Sequence, residues 1–233
     1  MVIDIFSDVR CPFCYIGKRK FEAALEKFPQ RDKIKVNWKS FQLDPTLETR
    51  TDISTVDYFV KAKGVSREQA KQMLGGATQM AKEVGLNFNL EDSVLANSFN
   101  AHRLIQMAKT KSLGNEIEEA LFKVHFEEAR NIDDFDVLIE TGESIGLNAE
   151  EVKEVLASNS FEYEVKQDEM DARNIGVRGV PFFVFDNRYG VSGAQSTEAF
   201  LQTLEKSWEE YTQKNNDIEI IEGDSCKPDG NCD

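Results

Sequence analysis

Val2-Ile-Asp-Ile-Phe-Ser-Asp-Val-Arg-Cys11-Pro-Phe-Cys14-Tyr-Ile-Gly17 stands almost at the head of the chain. Its first half, Val2 to Phe6, is a short apolar run of the kind that forms a buried strand. Its second half sets two cysteines three residues apart. Pro12 between them suits the first turn of a helix, where its missing N–H costs nothing. Phe13, Ile16, Phe21, Ala24, Leu25 and Phe28 continue at near-helical spacing, and Pro29 ends the run. Ile34, Val36 and Trp38 then alternate with polar residues, as in a strand with one wetter face. The first forty residues therefore read as strand, helix, strand, with the cysteine pair at the helix start.

Outward from this unit the period changes. From about 52 to 175 apolar residues recur every 3.6 positions. Ser66-Arg-Glu-Gln69 is a capping box, followed by a stripe of Ala70, Met73, Leu74, Ala77, Met80, Ala81 and Val84 and closed by Gly85. Further helices are expected near 92–110, 115–129, 134–145 and 149–157, with Asn148 capping the last and Gly114 and Gly146 as stops. After a helix near 161–175, strand character returns at Phe182–Phe185. A turn at Asp186-Asn187, a short strand near Val191 and a final helix capped by Ser196 follow, with Phe200, Leu201, Leu204 and Trp208 on one face of that helix. The order βαβ, helical block, αββα predicts an α/β fold with a helical insertion. Its parts would be a sheet domain of 1–51 and 161–212, an all-helical insert of 52–160, and an acidic tail of 213–233.

Composition narrows the function. The 233 residues are 40% hydrophobic and 30% charged, enough for a true core. Forty-two acidic against 28 basic residues leave a net charge of -14. A chain so acidic is repelled by nucleic-acid backbones and anionic lipid, so neither is an expected partner. No apolar run approaches a membrane span, and Met1 leads into Val-Ile-Asp without a basic, leader-like segment. A cytoplasmic location is the expectation. In a reducing compartment, paired cysteines are more often catalytic or metal-binding than structural. The four here pair as Cys11-Pro-Phe-Cys14 and Cys226-Lys-Pro-Asp-Gly-Asn-Cys232.

Cys11 and Cys14 at a helix N-terminus can join as a disulfide or part as thiols. The unpaired N–H groups and dipole of the first turn favour a thiolate at Cys11, the expected nucleophile, with Cys14 one turn inward to resolve the mixed disulfide. Two other readings stay open. A Cys-Pro-x-Cys turn can be half of a zinc knuckle completed by Cys226 and Cys232, although such knuckles rarely head an amphipathic helix. The two thiols can also be merely buried and inert. Val180-Pro181 precedes a strand. A cis bond there would present backbone to an extended peptide, and the sequence alone leaves cis and trans open. Asp8 could tune the thiol or shuttle a proton, although capping the helix is the simpler reading. His102 and His125 fall on helices of the insert as structural residues by default, with His102 the better placed to face a cleft. A cleft lined by Phe and Met between the two parts would suit an unfolded or peptide substrate.

Taken together, Cys11-Pro-Phe-Cys-Tyr-Ile-Gly17, Asn97-Ser-Phe-Asn-Ala-His-Arg103 and Gly176-Val-Arg-Gly-Val-Pro-Phe-Phe-Val184 resemble the DsbA-like thioredoxin-fold oxidoreductases, most nearly their cytoplasmic FrnE-like branch. The likeness covers roughly residues 1–212. It implies a thioredoxin fold with a central mixed sheet and a helical insert, Cys11 as nucleophile, Cys14 as resolving thiol and a cis Pro181 beside them. It also implies that Cys226 and Cys232 form a second redox pair exchanging electrons with the first. Pro12-Phe13 between the cysteines departs from the Pro-His of strongly oxidising members and predicts a more reducing couple. Relatives working as glutathione-dependent isomerases or transferases carry Ser where this chain has Cys11.

The expected function is thus exchange with protein or peptide disulfides. Pro12, Phe13, Val180, Asp8 and His102 are accessory to Cys11, Cys14 and Pro181. No metal, flavin or nicotinamide motif is present. A low-molecular-weight thiol or thioredoxin-type reductant is the expected electron partner, and a homodimer is left open. The alternatives are a glutathione-dependent enzyme of the same fold and a redox-gated holder of unfolded clients.

Overall fold

A computed structural model of the chain describes residues 1–216. Strand β1 (Val2–Ser7) lies at the middle of a four-stranded sheet in the order β2-β1-β3-β4. It pairs parallel with β2 (Lys35–Ser40) and antiparallel with β3 (Phe182–Phe185), which pairs antiparallel with β4 (Tyr189–Ser192). The parallel β1–β2 pair needs a crossover, which α1 (Pro12–Lys27) supplies. This is the DsbA-like thioredoxin fold with a mixed sheet that the motifs led us to expect.

Side-chain alternation puts apolar residues on both faces of the paired strands β1 and β3. Ile3, Ile5, Phe183 and Phe185 point to one side, where Phe21 of α1, Phe28 just past its end, and Phe200 and Leu204 of α9 (Thr197–Asn216) complete a core. Phe6, Val184 and the partly buried Phe182 point to the other, against Ala172 of α8 (Glu162–Asn174) and Val177. Edge-to-face and tilted rings join Phe21, Phe183 and Phe200 at 4.6–5.8 Å, spacings at which aromatic pairs add to simple area burial.

Between β2 and α8 the chain forms α2 (Thr55–Lys63), α3 (Arg67–Lys82), α4 (Phe99–Thr110), α5 (Gly114–Phe126), α6 (Phe135–Ser144) and α7 (Ala149–Leu156). The Ser66–Gln69 capping box is complete, and Ala70, Leu74, Ala77 and Ala81 are buried behind it. Met73, expected in that stripe, is exposed; it lies off the buried line that runs through Ala70, Leu74, Ala77 and Ala81. The core of this block runs on into Val9, Cys11, Cys14, Tyr15 and Ile16, so the helices pack directly onto the start of α1.

Local differences from expectation have local causes. The helix expected from 92 begins only at Phe99. The Asn97 side chain accepts from Phe99 N at 2.8 Å and donates to Leu47 O at 2.8 Å, while Arg50 N reaches Leu95 O at 2.7 Å. These bonds hold 95–97 as a strand-like bridge and an Asx turn. Gly114 is no stop. Ser112 takes the positive φ of 61° that ends α4, and Gly114 opens α5. The helix expected to 129 ends at Phe126, and Ala129 adopts a φ of 53°. Asn148 and Ser196 cap α7 and α9 as anticipated, through Glu151 N and Ala199 N.

Candidate active site

The turn from β1 into α1 is closed by Cys11 N donating to Asp8 O at 2.8 Å. Cys11 is the extended N-cap residue of α1, Pro12 is its first helical residue, and Cys14 N returns to Cys11 O at 2.9 Å. No side chain caps the helix. That corrects the reading of Asp8 as a cap. Its carboxylate is fully buried and accepts instead from Arg10 N at 3.1 Å and Leu43 N at 2.8 Å, tying the turn to the segment after β2.

Cys11 and Cys14 are free thiols and both are buried, whereas Phe13 between them is exposed. Val180–Pro181 is a cis peptide, the alternative that the residues left undecided. It brings Val180 O within 3.5 Å of Cys11 Sγ, which donates to it. The approach depends on Gly17, since a Cβ there would sit 3.0 Å from Pro181 Cγ and 3.5 Å from Ala194 Cβ.

Titratable groups gather behind the cysteines. Burial pushes the Cys14 thiol well above its ordinary range, and the Cys11 sulfur beside it adds to the rise. Burial also raises Asp8, yet His102, with Nε2 3.6 Å from Asp8 Oδ1, together with the Leu43 N–H and Arg10, outweighs it and leaves the carboxyl below normal. His102 is depressed by burial and more strongly raised by Asp8, Glu118 and Glu169. It is buried and does not face an open cleft. Glu118 of α5 is pushed up to about 7, chiefly by burial. His125, also sealed in, is held down to about 4 by burial and by Arg10.

Tyr15 stacks against Phe122 and Phe88, with ring centroids 4.8 and 5.9 Å away, and donates to Glu119 at 2.6 Å. Lys18, only 2% exposed, is held by Glu22 at 2.5 Å and Glu119 at 2.6 Å, and Arg19 also pairs with Glu119. This network pins α5 across the first turns of α1. Ser7, Lys18, Glu118 and Glu119 were not singled out from the sequence. A signal was present, because Glu118 shares an i, i+3, i+4, i+7 face with Leu121, Phe122 and His125, an apolar stripe where a carboxylate is anomalous.

Other expectations fare differently. The cavity of about 580 Å³ beside α4 is lined by Gln42, Asn97, Asn100, Asp133, Lys166 and Glu169 among others, with Phe99 its one aromatic residue. It is polar and holds neither cysteine, so the expected Phe- and Met-lined cleft is not found there. Cys226 and Cys232 lie outside the described residues. Among the described residues no helix is long and apolar enough to cross a membrane.

Known proteins resemble this chain in sequence or fold. The chain is similar to the probable DsbA oxidoreductase SCO1869 of Streptomyces coelicolor, with 37% identity, 100% of this chain and 98% of that one covered, and a TM-score of 0.87. It is 26% identical over 206 residues to the uncharacterized protein YwbO of Bacillus subtilis, covering 87% of this chain and 94% of that one. The cytosolic disulfide reductase DsbM of Pseudomonas aeruginosa shares the fold at 16% identity and a TM-score of 0.60, over 93% and 100% of the two chains. The model of the DSBA-like thioredoxin domain matches residues 2–205, and with the fold and motifs above this shows that the chain belongs to that family of thiol–disulfide oxidoreductases.

Proposed function

We propose that the chain exchanges electrons with protein or peptide disulfides through a Cys11–Cys14 couple. The observation carrying this reading is the pair of free thiols at the start of α1, with Cys11 Sγ 3.5 Å from Val180 O on the cis-proline loop. In the reducing direction Cys11 thiolate attacks a substrate disulfide, one substrate thiolate leaves, and a Cys11 mixed disulfide forms. Cys14 then attacks Cys11 Sγ, releasing the second thiolate and leaving a Cys11–Cys14 disulfide. The substrate gains two electrons and the couple loses two. Backbone near Val180 would pair with the extended substrate strand, and the exposed Phe13 would offer it an apolar contact. Reversal of the same steps oxidises a dithiol. Direction follows the couple's potential against its compartment, about 1.4 kcal/mol for every 30 mV. A cytoplasmic setting and a more reducing couple than the Pro-His members remain part of this reading.

The test is a redox titration with mass mapping of the bridge. A single two-electron transition at Cys11–Cys14, lost in Cys11→Ser together with peptide-disulfide turnover, supports the assignment. Absence of any such transition between fully reducing and oxidising buffers overturns it. A second reading, glutathione-dependent isomerisation or transfer, is favoured by one observation: the DsbM neighbour is known with glutathione bound. Under that reading Cys11→Ser would keep turnover of a small molecule with glutathione.

A further inference from the structure

The helical block packs directly against the cysteine pair. Resolution of a mixed disulfide requires Cys14 to lose its proton, and burial opposes that loss. Some neighbour must take the proton for the step to be fast.

Bulk solvent does not reach this side of the pair: Ser7, Asp8, Cys14, Lys18, His102 and Glu118 are each no more than 2% exposed. Four polar atoms in this space, Ser7 Oγ, Glu118 Oε1 and both ring nitrogens of His102, make no hydrogen bond among the described residues. Buried polar atoms are rarely left so, and each calls for a reason. Ser7 is the link between them. Its hydroxyl lies near enough to favour the ionised forms of both the Cys14 thiol and the Glu118 carboxyl.

We propose that Glu118, acting through the Ser7 hydroxyl, accepts the proton of Cys14 when Cys14 attacks the mixed disulfide. Cys14 S–H passes its proton to Ser7 Oγ as Ser7 passes its own to the Glu118 carboxylate. The Cys14–Cys11 sulfur bond forms, the bond from Cys11 to substrate breaks, and the leaving substrate thiolate carries off the electron pair. The net change is one carboxylate converted to a carboxylic acid. Glu118 is suited to this because its affinity for a proton is balanced near neutrality. Burial raises that affinity, and the neighbours trim it. His102 and Lys18 favour the carboxylate, as does Lys109 from the far end of α4, while Asp8 opposes it. The Lys18 charge is already shared with Glu22 and Glu119. Because Glu118 would act on Cys14 through Ser7, it is a positioning and proton-holding residue. It would make α5 of the insert part of the redox site.

This inference rests on Cys11–Cys14 being the redox couple, and the experiment separates the two. Full-length protein carrying Cys226→Ser and Cys232→Ser in every arm, so that Cys11 and Cys14 are its only thiols, is reduced and mixed with 5,5′-dithiobis(2-nitrobenzoate) in a stopped-flow instrument. Attack by Cys11 releases one thionitrobenzoate, and resolution by Cys14 releases the second. For Glu118→Gln we expect an unchanged first phase and a second phase slowed about 10- to 100-fold at pH 7, the scale of a lost general base. The wild-type second phase should titrate near neutrality, and that inflection should vanish in Glu118→Gln. Glu118→Asp should recover part of the rate. Ser7→Ala, which removes only a hydroxyl, should slow the second phase in the same way. Second-phase rates and pH profiles in Glu118→Gln and Ser7→Ala that match wild type overturn the proposal. Loss of both phases in wild type would instead refute the couple itself.

Discussion

Replacing Glu118 by Gln should stabilise the protein in alkaline solution, whatever the fate of its redox activity. The carboxyl is buried and its pKa is displaced from an ordinary 4.5 to about 7. A folded-state pKa above the unfolded one means that the native chain holds a proton that the unfolded chain releases. Stability from this group is therefore full below about pH 4.5 and is lost as pH rises through the native value. The displacement corresponds to about 3 kcal/mol at 1.36 kcal/mol per pH decade, an order-of-magnitude figure for one group. Gln resembles the protonated acid in shape and does not ionise. The difference in unfolding free energy between variant and wild type should be small at pH 4.5, favour the variant as pH passes 6, and level off near 3 kcal/mol by pH 8. Urea unfolding of both proteins at a series of pH values, with a reductant present to keep the thiols free, measures it. Taking the difference cancels most other titrations. A curve that is flat from pH 4.5 to 8, or that favours wild type as pH rises, would refute the reasoning about this carboxyl.

Three further outcomes follow from other contacts. Glu119 is held down to about 2, with burial opposing and Arg19 and Lys18 overcoming it, so its contribution is present above about pH 4.5 and lost as pH falls through 2; Glu119→Gln should flatten that acid limb. The same variant leaves the buried Lys18 with Glu22 alone and should cost about 3 kcal/mol at pH 7, near the lower end for a broken buried pair, as read by urea midpoints. Gly17→Ala places a methyl 3.0 Å from Pro181 Cγ; we expect a loss of about 1–3 kcal/mol by overpacking and slower peptide-disulfide turnover, and a variant equal to wild type in both would contradict the close approach. For the proposed second couple, chain length discriminates. Helices α1 and α9 run alongside in the same direction, with Phe21 against Phe200 and Phe28 against Trp208, which leaves Asn216 roughly 37 Å along the axis from Cys11 at 1.5 Å per residue. Ten further residues reach at most about 36 Å and sixteen about 58 Å. Within one chain Cys232 therefore has ample reach and Cys226 almost none. Mass mapping of monomer after partial oxidation should find Cys11–Cys232, and a dominant intramolecular Cys11–Cys226 bridge would contradict this geometry.

Most of the fold was legible because its signals are local. Val2–Phe6, the Cys-Pro-x-Cys turn, the Ser66–Gln69 box and Asn148 each act on neighbours within a few residues, and each element appears where its pattern placed it. The failures are places where distant contacts overrode a local preference. Asn97 bonds to Pro45 and Leu47 on a remote loop and delays α4 to Phe99. Asp8, read as a cap, lies three residues ahead of the actual N-cap Cys11, and its carboxylate is taken by Arg10 N and Leu43 N. Met73 obeys the helical period, yet nothing packs over it, so it stays exposed.

By itself the sequence determined the strand–cysteine–helix unit and the return of strand character at Phe182, because hydrophobic period and turn chemistry are properties of short stretches of chain. Only the tertiary structure decided that Val180 meets Cys11 across a cis bond. It alone made Glu118 a buried acid poised near neutrality, and put His102 behind Asp8 and not at an open cleft. A carboxylate's proton affinity depends on the solvent it loses and the charges it gains, and those arrive from segments a hundred residues away.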